Sequence, residues 1–159
     1  MFLKSYTEIG LPFGEVRDTM ARQPRLWLDG LAAAAEQDGR RLLVEVGLEV
    51  HGHDVSRRAW LEVGEPVTTG RVSALPFRLL INGGALFPEL EGTIDAAWLG
   101  ADRTHLALAA QYEPPLGPLG RAIDRTLLHR VAEAVARRFL DTFARRLAAQ
   151  PAAGDARLG

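Results

Sequence analysis

Few residues in this chain combine a reactive side chain with an informative neighbourhood, and Arg78 and Tyr112 lead them. Arg78 interrupts an otherwise apolar run, Leu75-Pro76-Phe77-Arg78-Leu79-Leu80-Ile81. A guanidinium in such a run needs a partner, because an unpaired buried charge costs on the order of several kcal/mol. It is expected to bind a ligand carboxylate or enolate, or to pair with an internal acid such as Asp95 or Glu62. Tyr112 stands immediately before Glu113-Pro114-Pro115-Leu116-Gly117-Pro118-Leu119-Gly120. Its hydroxyl could orient a ligand, or cap a nearby backbone group. These two residues are the candidates for any catalysis. His51 and His53, with Asp54 adjacent, have the spacing that puts two imidazoles on one strand face, but they fall at a turn and lack a third ligand at motif spacing, so no metal site is expected. His105 falls on the polar side of its strand and His129 next to an apolar helix stripe, neither with an identifiable base or nucleophile partner in the sequence. Gly83-Gly84 and Gly117-x-x-Gly120 lack the flanking residues of a phosphate-binding loop, and no Gly-x-Ser-x-Gly elbow occurs.

The elements that must position these residues follow from two periodicities. Phe2 to Ile9 reads as a strand, Phe13 to Val16 opens a short helix, and Leu26, Trp27, Leu31 and Ala34 or Ala35 give a second helix after Pro24, ending at Asp38-Gly39. Alternation then takes over. Leu42, Val44, Val46, Leu48 and Val50 oppose Glu45, Glu49 and His51, and Val55 to Val63 returns as the partner strand of a hairpin. A further strand spans about Arg71 to Ile81, with Pro76 as a bulge or edge feature. Leu90, Gly92, Ile94, Ala96 and Trp98 alternate with Glu89, Glu91, Thr93 and Asp95, and Leu106, Leu108, Ala110 and Tyr112 share a face of the next strand. From about Pro118 to Ala149, Ile123, Leu127, Val131, Val135, Phe139, Phe143 and Leu147 recur every four residues, which specifies one long amphipathic helix. Two adjacent prolines cannot continue a sheet ladder, so the Pro-Pro-Leu-Gly segment is the corner between sheet and helix. Residues 150 to 159 have no periodicity and are expected to be a frayed tail.

Composition bounds the rest. A chain of 159 residues with 47% hydrophobic and 25% charged residues suits one domain, here residues 1 to 149. The 19 basic and 20 acidic residues leave a formal net charge of -1, which implies no global attraction to nucleic acid or anionic membrane. With no cysteine, the chain has no disulfide, thiolate metal site or cysteine nucleophile. No run approaches the ~20 apolar residues of a membrane span, and a cytoplasmic location is expected.

The order of strand, two helices, five strands and long helix, with the Tyr-x-Pro-Pro-Leu-Gly corner and the following Leu128-His129-Arg130-Val131-Ala132, resembles the START-like, Bet v 1-type superfamily that includes polyketide cyclases. The resemblance covers roughly residues 1 to 149. It implies an α+β helix-grip fold, in which a curved antiparallel sheet of about six strands wraps around the C-terminal helix and encloses a largely apolar cavity. A hydrophobic or amphipathic small molecule, lipid- or polyketide-like, is then the expected partner of a monomer or homodimer, without cofactor. On strand and helix parity the ligand would meet Ile94, Ala96, Trp98, Leu106, Leu108, Ala110 and Tyr112 from the sheet and Leu127, Val131 and Val135 from the helix, with Arg78 the charged candidate on account of its apolar run. Gly92, Ala96 and Ala110 would leave room for it, while a sheet bending around a helix gives Gly92 a structural alternative. Carriage is the leading expectation; a cyclase- or dehydratase-like enzyme using Arg78 or Tyr112 is the first alternative, and a structural or partner-binding domain with a filled core the second.

Overall fold

The computed structural model describes residues 1–22, 32–35, 41–50, 53–81, 89–113 and 125–150. In chain order the elements are β1 (Phe2–Ile9), α1 (Phe13–Met20), β2 (Ala32–Ala35), β3 (Arg41–Val50), β4 (His53–Val63), β5 (Val67–Thr69), β6 (Val72–Ile81), β7 (Glu89–Gly100), β8 (Arg103–Glu113) and α2 (Arg125–Ala148). The strands form one antiparallel sheet in the order β1-β8-β7-β6-β4-β3-β2, with β5 paired to β6. The first strand therefore joins the last, so β8 lies inside the sheet, between β1 and β7, rather than at an edge.

The alternation read in the sequence is the alternation of burial. On β8, Thr104, Leu106, Leu108, Ala110 and Tyr112 are buried, and on β7 so are Leu90, Ile94 and Ala96. Registers bring these residues level: Leu79 lies opposite Leu90, which lies opposite Tyr112, and Ile94 lies opposite Leu108. Along this inner face runs α2, at 24 residues about 36 Å long, touching β1, β3 and β8. Its buried stripe is Ala132, Val135, Ala136, Phe139, Leu140, Phe143, Ala144 and Leu147. Phe139 packs on Phe77 of β6 with ring centroids 5.5 Å apart, and Phe143 continues the row. At the far end of β7 and β8, α1 contributes Phe13, Val16 and Met20 to the same core. The entry to α1 is fixed by Thr104, whose buried hydroxyl donates to the Leu11 carbonyl at 2.7 Å.

Local sequence explains two features of β6. Gly70 has φ 59° in the two-residue turn that pairs Thr69 with Val72, a conformation glycine adopts without steric cost. Pro76 lies between the stretch paired to β4 and the stretch paired to β5, where it accepts from the Gly64 amide at 2.8 Å, so its missing N–H removes no bond from a central ladder.

Two expectations change. Ala32–Ala35, inside the segment read as a second helix, is a short strand with Ala34 opposite Leu43 and Ala35 opposite Leu42. The open edge of β3 offers unpaired backbone groups, and pairing with them overrides the high intrinsic helix propensity of an alanine run. The rest of that segment, the start of the long helix before Arg125, the Pro-Pro-Leu-Gly corner and the tail from 151 onward lie outside the described residues. Gly92 also has a different role. A Cβ there would lie 1.9 Å from the Ala109 carbonyl oxygen and 2.6 Å from Ala110 Cα, so its bare backbone allows β7 and β8 to approach each other rather than leaving space for a ligand.

Candidate functional site

Where the sheet ends beside the start of α2, the apolar interior meets a short chain of polar side chains. Tyr112 is 1% exposed. Its hydroxyl lies 3.1 Å from His129 Nδ1 and donates to Met1 Sδ at 2.6 Å. The two rings are tilted by 31° with centroids 6.0 Å apart. On its other side the imidazole meets Glu133, with Nε2 3.3 Å from Oε1 across one helical turn. Tyr112, His129 and Glu133 thus form a relay from a buried phenol to a partly exposed carboxylate. The phenol is pushed above the usual tyrosine range, first by burial and second by the Glu133 carboxylate, so it stays protonated through neutral pH. In neutral His129, an Nε2–H donating to Glu133 leaves Nδ1 as acceptor for Tyr112. In the imidazolium both nitrogens donate, and the phenol proton points to Met1.

The sequence placed Tyr112 at this corner but found no partner for His129, which sits 17 residues downstream. The i, i+4 spacing of His129 and Glu133 was the available signal. The contact with Tyr112 depends on how the helix is rotated against the sheet.

The other expected site residues divide into three groups. Ile94, Ala96, Leu106, Leu108, Ala110 and Val135 face one another and the helix, as their parity required, but each is at most 1% exposed. Phe77, Phe139, Leu140 and Phe143 fill the space between them, so these residues form a closed core rather than the wall of an open cavity. Val131 is half-buried and packs against this core, as does Ile81 of β6. Leu127 lies on α2 with its side chain outside the described residues.

Trp98 and Arg78 are corrected. Trp98 is 46% exposed at the end of β7, where the register shifts, and the Arg71 guanidinium lies over its ring, 4.4 Å from the centroid. It shares the parity of Ala96 but lies beyond the reach of the core. Arg78 is on the opposite, polar side of the sheet, its side chain 49% exposed and its Nε 2.6 Å from Glu89 Oε1. Its ion pair is with Glu89 rather than Asp95, Glu62 stands opposite it in the β4 register, and one buried carboxylate oxygen of Asp95 has no hydrogen-bond partner among the described residues. The apolar run around Arg78 misled because strand alternation sends Pro76 and Arg78 outward while Leu75, Phe77 and Leu79 go inward. Arg78 and Glu89 instead line an outer groove of about 580 Å³ with Phe2, Glu91, Gly92, Thr93, Ala109, Gln111 and Tyr112, the last otherwise turned inward. With its carboxylates and guanidinium, this groove does not suit an apolar guest.

His105 stacks on Tyr6 at 5.6 Å on the outer side. His51 and the side chain of His53 lie outside the described residues. Among the described residues no cluster of three or more His, Asp or Glu side chains could hold a metal ion, and no helix is long and apolar enough to cross a membrane.

Comparison with known proteins identifies this architecture. A conserved protein from Geobacillus kaustophilus superposes with a TM-score of 0.59 at 18% identity, over 91% of this chain and 93% of the other. A START superfamily protein from Mycobacterium smegmatis gives 0.54 at 16% identity over 92% and 93%. The chain has the START/Bet v 1-like helix-grip fold. The Zhui aromatase/cyclase from Streptomyces shares it, with a TM-score of 0.52 and 14% identity over 92% of this chain and 90% of that one. No protein-family model and no curated protein matches the sequence. At these identities the likeness concerns the START-like fold and carries no residue roles.

Proposed function

We propose that this START-like chain binds and carries a hydrophobic or amphipathic small molecule between the sheet and α2. The observation that carries the reading is the contrast at the Tyr112 end: an apolar inner face and helix stripe terminate in one hydrogen-bonded polar group, with half-buried Val131 and Ile81 at the margin. Such an arrangement receives an apolar chain and offers one polar contact to its head. Burial of the guest supplies about 25 cal/mol per Å² before ordering costs. Because the described core is closed, entry requires α2 to move away from the sheet, beginning at the half-buried Val131 margin. Native mass spectrometry of protein purified from its own host tests the reading: a co-purifying lipid- or polyketide-like mass supports it. A bare chain that also takes up no added apolar compound refutes it.

Close packing of Phe77, Phe139 and Phe143 favours a second reading, a domain with a filled core that acts through its surface. The relay favours a third, a cyclase-like enzyme in which Tyr112 polarises a carbonyl, the kind of reaction named for one of the structural neighbours. Turnover of a bound compound, abolished in a folded Tyr112→Phe variant, separates the third reading from carriage.

A further inference from the structure

We infer that Tyr112 is the hydrogen-bond anchor for a neutral oxygen head group, a ketone or alcohol at the end of an apolar chain, and that the Met1 thioether occupies the place of that oxygen when the ligand is absent. The inference rests on the carrier reading and names its ligand chemistry.

The argument starts from the company the hydroxyl keeps. Tyr112 closes the last inward-facing row of the sheet, level with Leu79 and Leu90, so its ring is part of the apolar interior while its hydroxyl points to the edge. A buried hydroxyl needs a good partner. Here one of its two neighbours is a thioether, a weak acceptor, 2.6 Å away. Met1 is 53% exposed, so its side chain can swing aside without disturbing the core. A ligand oxygen in its place would exchange a weak acceptor for a strong one. His129 supports either direction of that bond, since Nδ1 accepts from the phenol in the neutral ring and donates to it in the imidazolium.

Charge selects the head group. Glu133 lies on the far side of His129, and the guanidinium of Arg78, the cation expected to receive an acidic ligand, is on the other side of the sheet, paired with Glu89. The Met1 ammonium, a cation on this side, already donates to the Tyr112 carbonyl at 2.9 Å, and a carboxylate head would also meet the Glu133 charge through a single imidazole. A neutral oxygen meets no such penalty. The raised proton affinity of the phenol keeps it a donor rather than a phenolate.

The test uses three probes of one chain length: a twelve-carbon methyl ketone, the matching fatty acid and the matching alkane, each displacing an apolar fluorescent dye from the whole chain. The ketone is expected to bind more tightly than the alkane, and Tyr112→Phe to remove about five- to tenfold of ketone affinity while leaving the alkane unchanged, the effect of one hydrogen bond. The fatty acid should gain nothing from Tyr112. A second measurement does not depend on the substitution folding. Mild peroxide oxidises exposed Met1 before Met20, which is 1% exposed. The sulfoxide oxygen is a strong acceptor that competes for the phenol, so ketone affinity should fall when the wild type is oxidised, while alkane affinity should not. Ketone binding that is unchanged by both perturbations, or a fatty acid preference lost with Tyr112→Phe, overturns the anchor and leaves carriage standing. If none of the three probes binds, carriage falls and the anchor with it.

Discussion

Replacing Gly92 by alanine should be the most damaging single-methyl change in the described fold. The added Cβ would lie 1.9 Å from the Ala109 oxygen, 2.6 Å from Ala110 Cα and 2.8 Å from the Ala109 carbonyl carbon, whereas ordinary contact begins near 3.4 Å. All three are backbone atoms of β8, so no side-chain rotation relieves the clash, and the strands must separate by roughly 1.5 Å at this point. Gly92 is registered opposite Ala110, and Thr93 opposite Ala109, in the middle of the β7 and β8 pairing. Weakening two ladder bonds at about 1 kcal/mol each, with overpacking strain of about 1–3 kcal/mol, gives a loss of about 3–5 kcal/mol. At ~2–4 °C per kcal/mol for a chain of this size, the melting temperature should fall by roughly 6–20 °C. Urea unfolding followed by circular dichroism measures the loss directly. Gly14→Ala is the control: nothing lies within 4 Å of its added methyl, it stands in α1, and it should be neutral or stabilising by up to ~1 kcal/mol. A Gly92→Ala protein within about 0.5 kcal/mol of wild type, an ordinary surface result, would refute the close-approach reasoning.

Tyr112 makes stability depend on alkaline pH. Its folded pKa is raised above the ordinary value of about 10, so between the two values the native state holds a proton that the unfolded chain has lost, and stability falls as pH rises through that window. Urea midpoints between pH 9 and 11 should decline less steeply for Tyr112→Phe; equal slopes would contradict the burial of the phenol. Arg78→Ala should cost no more than about 1 kcal/mol, because the Arg78 and Glu89 pair is half-exposed, and should leave apolar ligand binding unaltered, which dye displacement can check. Of the chain's three tryptophans, Trp98 is the exposed one among those whose side chains are described, with Trp60 half-buried. Iodide quenching should therefore lose more of its accessible fraction in Trp98→Phe than in Trp60→Phe.

The sequence by itself determined the two surfaces that meet. Alternation in Leu90-Ile94-Ala96 and Leu106-Leu108-Ala110, and the four-residue recurrence from Val131 to Leu147, are local records of which side of each element is buried, and a buried side is legible wherever one face is wet. The alanine run at 32–35 was less legible, because its pairing depends on the free edge of β3 rather than on its own pattern. The apolar run around Arg78 suggests burial by composition, whereas alternation turns it outward, since a strand in an apolar run still has two faces. Only the tertiary structure decided what each buried side touches. Register set Tyr112 level with Leu90, the rotation of α2 brought His129 to the phenol and carried Glu133 behind it, and the pairing of β1 with β8 placed Met1 beside them. Among the described residues the same tertiary packing sets Phe77, Phe139 and Phe143 in a row between sheet and helix, because periodicity states that a face is covered while the volume left beneath depends on how closely helix and sheet approach.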